Sequence, residues 1–276
     1  MSAATITDQE TAPPGDHVVP TGPIWLARDT WAEASRHLIA TIRNPDLLVF
    51  ASLQPIMFVV LFVYVFGGAI DIPGYSSYKQ FVVPGIFAQT IVFGSAYTGI
   101  GIAEDMSKGF IDRLRSLPMY PSAVLIGRTF SDLLRNIFTF VIMLVVGFIV
   151  GFRLDGGIPD AILATLLLLA FAFAFSWIQA FIGLSVKSVE AANSAGFIWM
   201  FPLTFISSAF VSTATMPTWL QKIADVNPFT IVTNATRALY NGKDPGNDVY
   251  WSVLWAVGIT VVFAFLSFRK FSSTSK

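Results

Sequence analysis

Six stretches of the chain carry no charged residue, and charged segments separate them. Their lengths are 24, 24, 17, 26, 31 and 20 residues. A helix needs about 20 predominantly apolar residues to cross a bilayer, so the pattern predicts six spanning helices. We extend the short third run backwards, with Asp132 and Arg135 at the headgroups, while Pro202 and Pro217 shorten the fifth. The predicted spans are about 47–70, 82–103, 131–152, 161–186, 191–211 and 249–268.

Lysine and arginine residues are distributed unequally between the two sides of this layout. With the N-terminus inside, 12 of them lie on the inner side and 5 on the outer side. Positive residues accumulate on the cytoplasmic side of membrane proteins. The sequence therefore predicts an all-α, multi-pass integral protein of the cell membrane, in contact with its lipids, with both termini in the cytoplasm.

Composition agrees with a membrane protein and excludes several kinds of chemistry. The chain is 54% hydrophobic and 12% charged, whereas soluble domains carry about 25% charged residues. A net charge of zero gives no reason to expect a nucleic-acid partner. Cysteine is absent, and both histidines, His17 and His37, precede the first span. We therefore expect no catalytic residues and no metal site.

The region before the first span divides into two parts. Residues 1–23 are rich in proline and small polar residues, which predicts a disordered cytoplasmic leader. Residues 24–44 predict an amphipathic helix lying in the headgroups, followed by the six-span domain over 45–270 and a cytoplasmic tail over 271–276. The apolar face of the amphipathic helix consists of Trp31, Ala34, Leu38 and Ile42.

A charged island at 104–118 separates the second and third apolar runs. Gly109 can end the preceding helix, and Pro118 cannot continue a new one comfortably. Between them, apolar and charged residues alternate at helical spacing, which predicts a short helix parallel to the membrane. Its charged face could meet a cytoplasmic partner, or the helix could simply seal the loop against the headgroups; periodicity favours neither.

Three segments resemble the type-2 ATP-binding-cassette exporter permeases, most closely the daunorubicin-resistance type. The first runs from Asp105 to Met119 (DMSKGFIDRLRSLPM) and continues with Gly127-Arg128 and Asp132. The others are Met216–Leu220 with Asn227–Phe229, and Thr233–Leu239. Together with the six-span layout, the resemblance covers about residues 24 to 270.

This resemblance implies that ATP hydrolysis elsewhere drives transport. Two separate ATPase subunits, which hold ATP and magnesium, would dock on the cytoplasmic loops of two permeases, identical or paralogous. This chain has no G-x-x-x-x-G-K-[ST] phosphate loop and would bind no cofactor itself. The resemblance assigns ATPase coupling to Glu104, Asp105, Lys108, Gly109, Phe110, Asp112, Arg113, Leu114, Arg115 and Pro118.

The implied cargo is hydrophobic or amphipathic: a drug, a polyketide or a lipid, moved out of the cytoplasm or the inner leaflet. Export of a polysaccharide or a lipid-linked glycan is the alternative within the same class. An integral-membrane enzyme or a scaffold is the alternative outside it, although the sequence offers no catalytic constellation.

Residues 213–248 are too polar to span and too apolar for a simple loop. They predict two short helices that dip into the outer leaflet. These helices should pack against protein rather than lipid, because irregular backbone at that depth needs hydrogen-bond partners. The resembled family implies that such helices gate the exit, and a cap with a purely structural role is the alternative. The predicted gate residues are Pro217, Trp219, Asn227, Pro228, Phe229 and Arg237.

No Asp, Glu, Lys, Arg or His falls inside the six uncharged runs, and Asp132 and Arg135 of the extended third span are placed at its headgroup end. A proton-coupled transporter usually keeps such a group as its relay, so the sequence disfavours proton coupling. Uncharged polar side chains remain at depth, including Asn136, and these more often join helices than bind ligands. Candidates for a substrate path are Gln54, Gln89 and Gln179, with Phe175 and Trp199, although lipid-facing packing would also account for the aromatic pair.

Overall fold

The computed structural model describes residues 23–43, 45–70, 72–110 and 121–273, and within these ranges the chain forms helices and no strand. Helix α2 continues as a π-helical turn over Leu61–Phe66, and a short 3₁₀ turn covers Thr213–Thr215. The helices are α1 (Pro23–Arg43), α2 (Pro45–Val60), α3 (Tyr78–Gly94), α4 (Ala96–Ser107), α5 (Pro121–Ile149), α6 (Gly157–Ser185), α7 (Val189–Phe205), α8 (Thr218–Val226), α9 (Pro228–Tyr240) and α10 (Asp248–Ser273).

Four helical stretches within the described ranges are long and apolar enough to cross a membrane. They are Tyr78–Ser107, Ser122–Ile149, Gly157–Ser185 and Asp248–Ser273. The first combines α3 and α4, and a shorter apolar helix covers Ser52–Phe66. The chain is therefore a helical membrane protein.

Helix α5 begins about ten residues before the third predicted span. Pro121 is its first residue, a position where the missing N–H has no helical partner to lose. The extra turns include one charged residue, Arg128, whose Nη1 atom lies 3.1 Å from Nδ1 of His37 in α1. The apolar run alone could not show this, because it begins only after Arg135.

Helix α3 lies at the centre of the molecule. Nearly all of its residues are buried, whereas α10 exposes most of its apolar side chains on the outer surface. The hydrophobic core joins Phe87 of α3 to Phe140 of α5 and Tyr240 of α9 by edge-on ring contacts, with centroids 5.5 and 6.2 Å apart. Any ligand that reaches α3 must therefore enter between other helices.

Glycines allow two close helix approaches on which this packing depends. A Cβ on Gly99 of α4 would lie 2.6 Å from the carbonyl oxygen of Gln179 in α6, and one on Gly183 would lie 2.4 Å from the carbonyl oxygen of Gly99. A Cβ on Gly85 would collide with the backbone of Ala209. Small residues at such crossings let helix backbones pack directly, the usual arrangement in membranes.

Pro84 leaves a backbone carbonyl of α3 free to bond a side chain at the end of α9. Proline has no N–H, so the carbonyl of Gln80 loses its helical donor. The side-chain amide of Asn241, just after α9, donates to that carbonyl at 3.1 Å. The freed carbonyl thus becomes a link between two distant parts of the chain.

Candidate functional site

A buried carboxylate organises the charged face of α1. Glu33 is 4% exposed, and Arg36 donates to its Oε1 atom at 2.6 Å. The Nε2 atom of His37 lies 3.2 Å from the same oxygen. Burial alone would raise the pKa of Glu33, but the hydrogen bonds from His37 and Arg36, together with the Arg36 charge, lower it to about 2. The spacing of three and four residues places all three groups on one helical face.

Helix α5 presents a matching row of charges. Asp132 lies 3.2 Å from Arg128 Nε and 3.2 Å from Arg135 Nη2. Arg135 also donates to the carbonyl of Gly94 at 3.0 Å and stacks over the ring of Tyr97. The three charged residues recur at spacings of four and three, so this row was visible in the sequence although it was not assigned a role.

Asp105 of α4 joins the two rows into one cluster. Its Oδ2 atom lies 3.6 Å from Arg128 and 3.9 Å from Arg36. His37 completes the connection, with Nδ1 3.1 Å from Arg128 Nη1. We call these residues the charge cluster; its members are Glu33, Arg36, His37, Asp105, Arg128, Asp132 and Arg135.

The charge cluster lies where the chain leaves α4 towards residues 111–120. Arg36 stacks over the ring of Phe110, with its guanidinium carbon 4.1 Å from the ring centroid. Gly109 has a φ of +64°, a conformation that favours glycine and turns the chain after α4. The exposed Glu104 and Lys108 pair at 2.6 Å, and this hydrogen bond raises the pKa of Lys108.

The structure therefore describes the positions of half of the predicted coupling residues. Asp105 and Phe110 contact α1 or α5, whereas Glu104 and Lys108 pair on the surface beside Gly109. The remaining predicted residues lie outside the described residues; they are Asp112, Arg113, Leu114, Arg115 and Pro118.

A cavity of about 50 Å³, lined by both apolar and polar side chains, lies between α2, α3, α5 and α7. It brings together two predicted substrate-path residues, Gln54 and Gln89, and adds Asn136, which sequence reasoning had noted only as a polar residue at depth. Gln89 Nε2 and Asn136 Nδ2 are buried without a hydrogen-bond partner within the described ranges. Leaving such a donor unpaired costs about 1–3 kcal/mol. The full lining is Gln54, Pro55, Phe58, Gln89, Thr90, Phe93, Gly94, Tyr97, Arg135, Asn136, Thr139 and Phe197.

The other predicted substrate-path residues do not line this cavity. Gln179 of α6 donates to the carbonyl of Gly196 at 3.4 Å and to the sulfur of Met200 at 2.8 Å, both on α7. Phe175 stacks near Trp199, with ring centroids 5.3 Å apart. These contacts join α6 to α7.

Asn227 organises the start of α9. Its Oδ1 atom accepts from the backbone N–H of Phe229 at 2.8 Å, which caps the helix. Its Nδ2 atom donates to the carbonyls of Leu203 and Ile206, both at 2.7 Å. Pro228 occupies the first helical position. Of the other predicted gate residues, Pro217 precedes α8, Phe229 is fully buried, and Trp219 is 66% exposed.

Arg237 of α9 is 2% exposed and forms no ion pair with a carboxylate in the described part of the chain. Instead, its Nε donates to the carbonyl of Phe81 at 2.8 Å, and its Nη2 donates to the carbonyls of Ser208 and Ala209. The guanidinium also covers the ring of Phe81. Buried charges need such compensation, so Arg237 ties α9 to α3 and to the segment after α7.

These features define a helical membrane protein with a charge cluster at one end of α4 and a buried arginine in α9. The family model described as "ABC-2 type transporter" matches residues 28–241. The chain belongs to the ABC-2 type transporter family.

Several curated proteins are similar over most of this chain. The daunorubicin resistance ABC transporter permease protein DrrB1 of Streptomyces coeruleorubidus is 35% identical over 86% of this chain and 83% of its own. The probable doxorubicin resistance permease DrrC of Mycobacterium tuberculosis (strain CDC 1551 / Oshkosh) is 23% identical over 85% of each chain. The probable multidrug permease YbhR of Escherichia coli K12 is 28% identical over 64% of this chain and 48% of its own.

Proposed function

We propose that this chain is the permease subunit of an ATP-driven exporter of hydrophobic or amphipathic compounds, such as a drug, a polyketide or a lipid. Family membership supports transport, and the names of the relatives support a drug-like cargo. The compounds would leave the cytoplasm or the inner leaflet of the cell membrane.

The charge cluster is the observation that carries this proposal. Asp105, near the start of the predicted coupling segment, lies beside Arg36 of α1 and Arg128 of α5. A push on that segment would therefore reach three helices together rather than α4 alone. Because α4 continues the central helix α3, such a push would also reach the core.

The proposed membrane arrangement has six spans with both termini in the cytoplasm. The four long apolar helices would supply the second, third, fourth and sixth spans, and α2 with its π-helical turn would supply the first. Helix α7 has 17 residues, a length of about 26 Å. With the segment that follows it to about residue 211, it would supply the fifth span. Helix α1 would lie in the headgroups, after the leader over 1–23.

We also propose that α8 and α9 form an outer gate. Asn227 and Arg237 connect α9 to the end of α7 and to α3, so movement of the spans would be transmitted to this segment. The exposed Trp219 would anchor α8 at the outer interface, as tryptophans commonly do.

The partners would be two ATP-binding-cassette ATPase subunits and a second permease, identical or paralogous. ATP and magnesium would bind the ATPases. Reconstitution in proteoliposomes tests the proposal: this chain with its ATPase should move daunorubicin only when ATP is supplied. A matched preparation with a hydrolysis-deficient ATPase is the control. Equal daunorubicin movement in the two preparations would refute an ATP-driven role.

A further inference from the structure

The cavity between α2, α3, α5 and α7 has the features of a binding site. We propose that it takes the uncharged, hydrogen-bond-accepting end of an amphipathic compound, whose apolar body lies along α2. Its use in export rests on the function proposed above, whereas binding itself does not.

Two buried amides supply the donors. Gln89 on α3 is 3% exposed and Asn136 on α5 is 2% exposed. Neither Nε2 of Gln89 nor Nδ2 of Asn136 has a hydrogen-bond partner within the described ranges, and both residues line the same cavity. Asn136 also lies so close to α3 that a side chain at Gly94 would collide with it. Two unpaired donors beside one cavity would be satisfied by acceptor oxygens such as carbonyls or ethers.

The charges around the cavity favour an uncharged group. Arg135 lines it, but its guanidinium is already engaged by Asp132 at 3.2 Å and by the carbonyl of Gly94 at 3.0 Å. None of the described residues that line the cavity carries a carboxylate. A cation would therefore lie near Arg135 and find no carboxylate in the lining to pair with. An anion would have to compete with Asp132 for the guanidinium of Arg135.

Size determines how the ligand must be placed. A volume of about 50 Å³ exceeds the ~10–15 Å³ that a water needs but admits only one functional group of a larger molecule. Gln54 and Phe58 line both this cavity and a groove of about 440 Å³ on α2. The groove is otherwise apolar, which suits a hydrocarbon or aromatic body rather than a sugar chain. Its remaining lining consists of Ile56, Met57, Val60, Leu61 and Val65.

Three tricyclic probes of similar size separate these requirements. Anthraquinone has carbonyl acceptors, anthracene has none, and 9-aminoacridine is a cation at neutral pH. We would measure equilibrium binding to the full-length chain in lipid nanodiscs, with protein-free nanodiscs as the partition blank. Anthraquinone should bind at least tenfold more tightly than either of the other probes.

Matched variants test the two donors. Gln89→Met and Asn136→Leu keep the side-chain size but remove the amide, and each should weaken anthraquinone binding about tenfold, or about 1.4 kcal/mol. Anthracene binding should not change. Thr233→Val is the control, because it removes a buried unpartnered hydroxyl that does not line the cavity.

Unchanged anthraquinone affinity in both amide variants would overturn the site, as would equal affinity of the wild-type chain for all three probes. If Gln89→Met does not fold, Asn136→Leu decides the matter. Transport assays of the complete complex keep the two proposals apart. Normal ATP-dependent export with unchanged binding in the variants rejects only the cavity, whereas selective binding without any export rejects only the exporter role.

Discussion

The Nη1 atom of Arg128 lies 3.6 Å from Oδ2 of Asp105, and this ion pair joins the helices on either side of residues 111–120. Both side chains are mostly buried, with 15% and 21% exposed. Such a pair is less screened than a surface pair. It holds the end of α4 against α5.

We predict that Asp105→Asn uncouples ATP hydrolysis from transport. Removing the charge abolishes the ion pairs of Asp105 with Arg128 and Arg36, so a movement of the loop would be transmitted to fewer helices. ATP-dependent export should fall at least about fivefold, the lower end of typical coupling energies, with binding of anthraquinone retained. Arg269→Gln, which removes an exposed cation of α10, should export normally. Wild-type export by Asp105→Asn would exclude a role for this pair.

The lowered pKa of Glu33 predicts a pH dependence of stability. Its folded pKa of about 2 lies below the usual 4.5, so its contribution is complete above about pH 4.5 and is lost as the pH falls towards 2. The difference in unfolding free energy between wild type and Glu33→Gln should reach up to about 3 kcal/mol at pH 6. It should shrink towards zero below pH 3.

Denaturant unfolding of the detergent-solubilised chain across this pH range measures that difference. Asp225→Asn, which removes an exposed carboxylate of α8, should show no comparable trend. His37 and Arg36 face the same carboxylate, so a parallel series on a His37→Gln background separates the contribution of Glu33 from that of His37. A constant difference between wild type and Glu33→Gln from pH 6 to 3 would contradict the assignment.

The close crossing of α4 and α6 predicts that Gly183→Ala is destabilising. The added Cβ would lie 2.4 Å from the carbonyl oxygen of Gly99, and a backbone atom cannot move aside cheaply. Overpacking of this kind costs typically about 1–3 kcal/mol. The thermal unfolding temperature in detergent should therefore fall clearly. Gly258→Ala adds the same atom where nothing lies within 4 Å, and an equal response of both variants would argue against the crossing.

Replacing Arg237 by methionine should destabilise the packing of α9 against α3 and the segment after α7. The carbonyls of Phe81, Ser208 and Ala209 would lose their donor inside the protein, and each buried unpaired group costs about 1–3 kcal/mol. We expect a loss of at least about 2 kcal/mol, measured by denaturant unfolding. The exposed Arg153, changed to methionine in the same way, should cost much less. Similar losses for both arginines would mean that the buried bonds contribute little.

Much of the secondary structure was predictable because it depends on local composition. Long uncharged runs must satisfy their backbone groups internally, which favours helices at those places. The start of α5 at Pro121 was not predictable in this way, since the apolar run begins only at residue 136 and the earlier turns pack against α1, where Gly127 lies against Glu33. The short break between α3 and α4 at Ser95 lies within one continuous apolar run and leaves no signal in it.

The candidate sites were predictable only in part. The spacing of Arg128, Asp132 and Arg135 already places them on one face of a helix. Nothing local to either residue indicates that Gln89 and Asn136 converge on one cavity. That convergence depends on the register between α3 and α5.

The sequence by itself determines that this chain forms apolar helices, that the six apolar runs carry no charge, and that a phosphate loop is absent. It does so because hydrophobicity and motif spacing are local properties of the chain. Only the tertiary structure decides that Arg237 is buried, that Asp105 meets Arg128, and which amides lack partners. Those outcomes depend on distances between residues far apart in the chain, which helix packing alone sets.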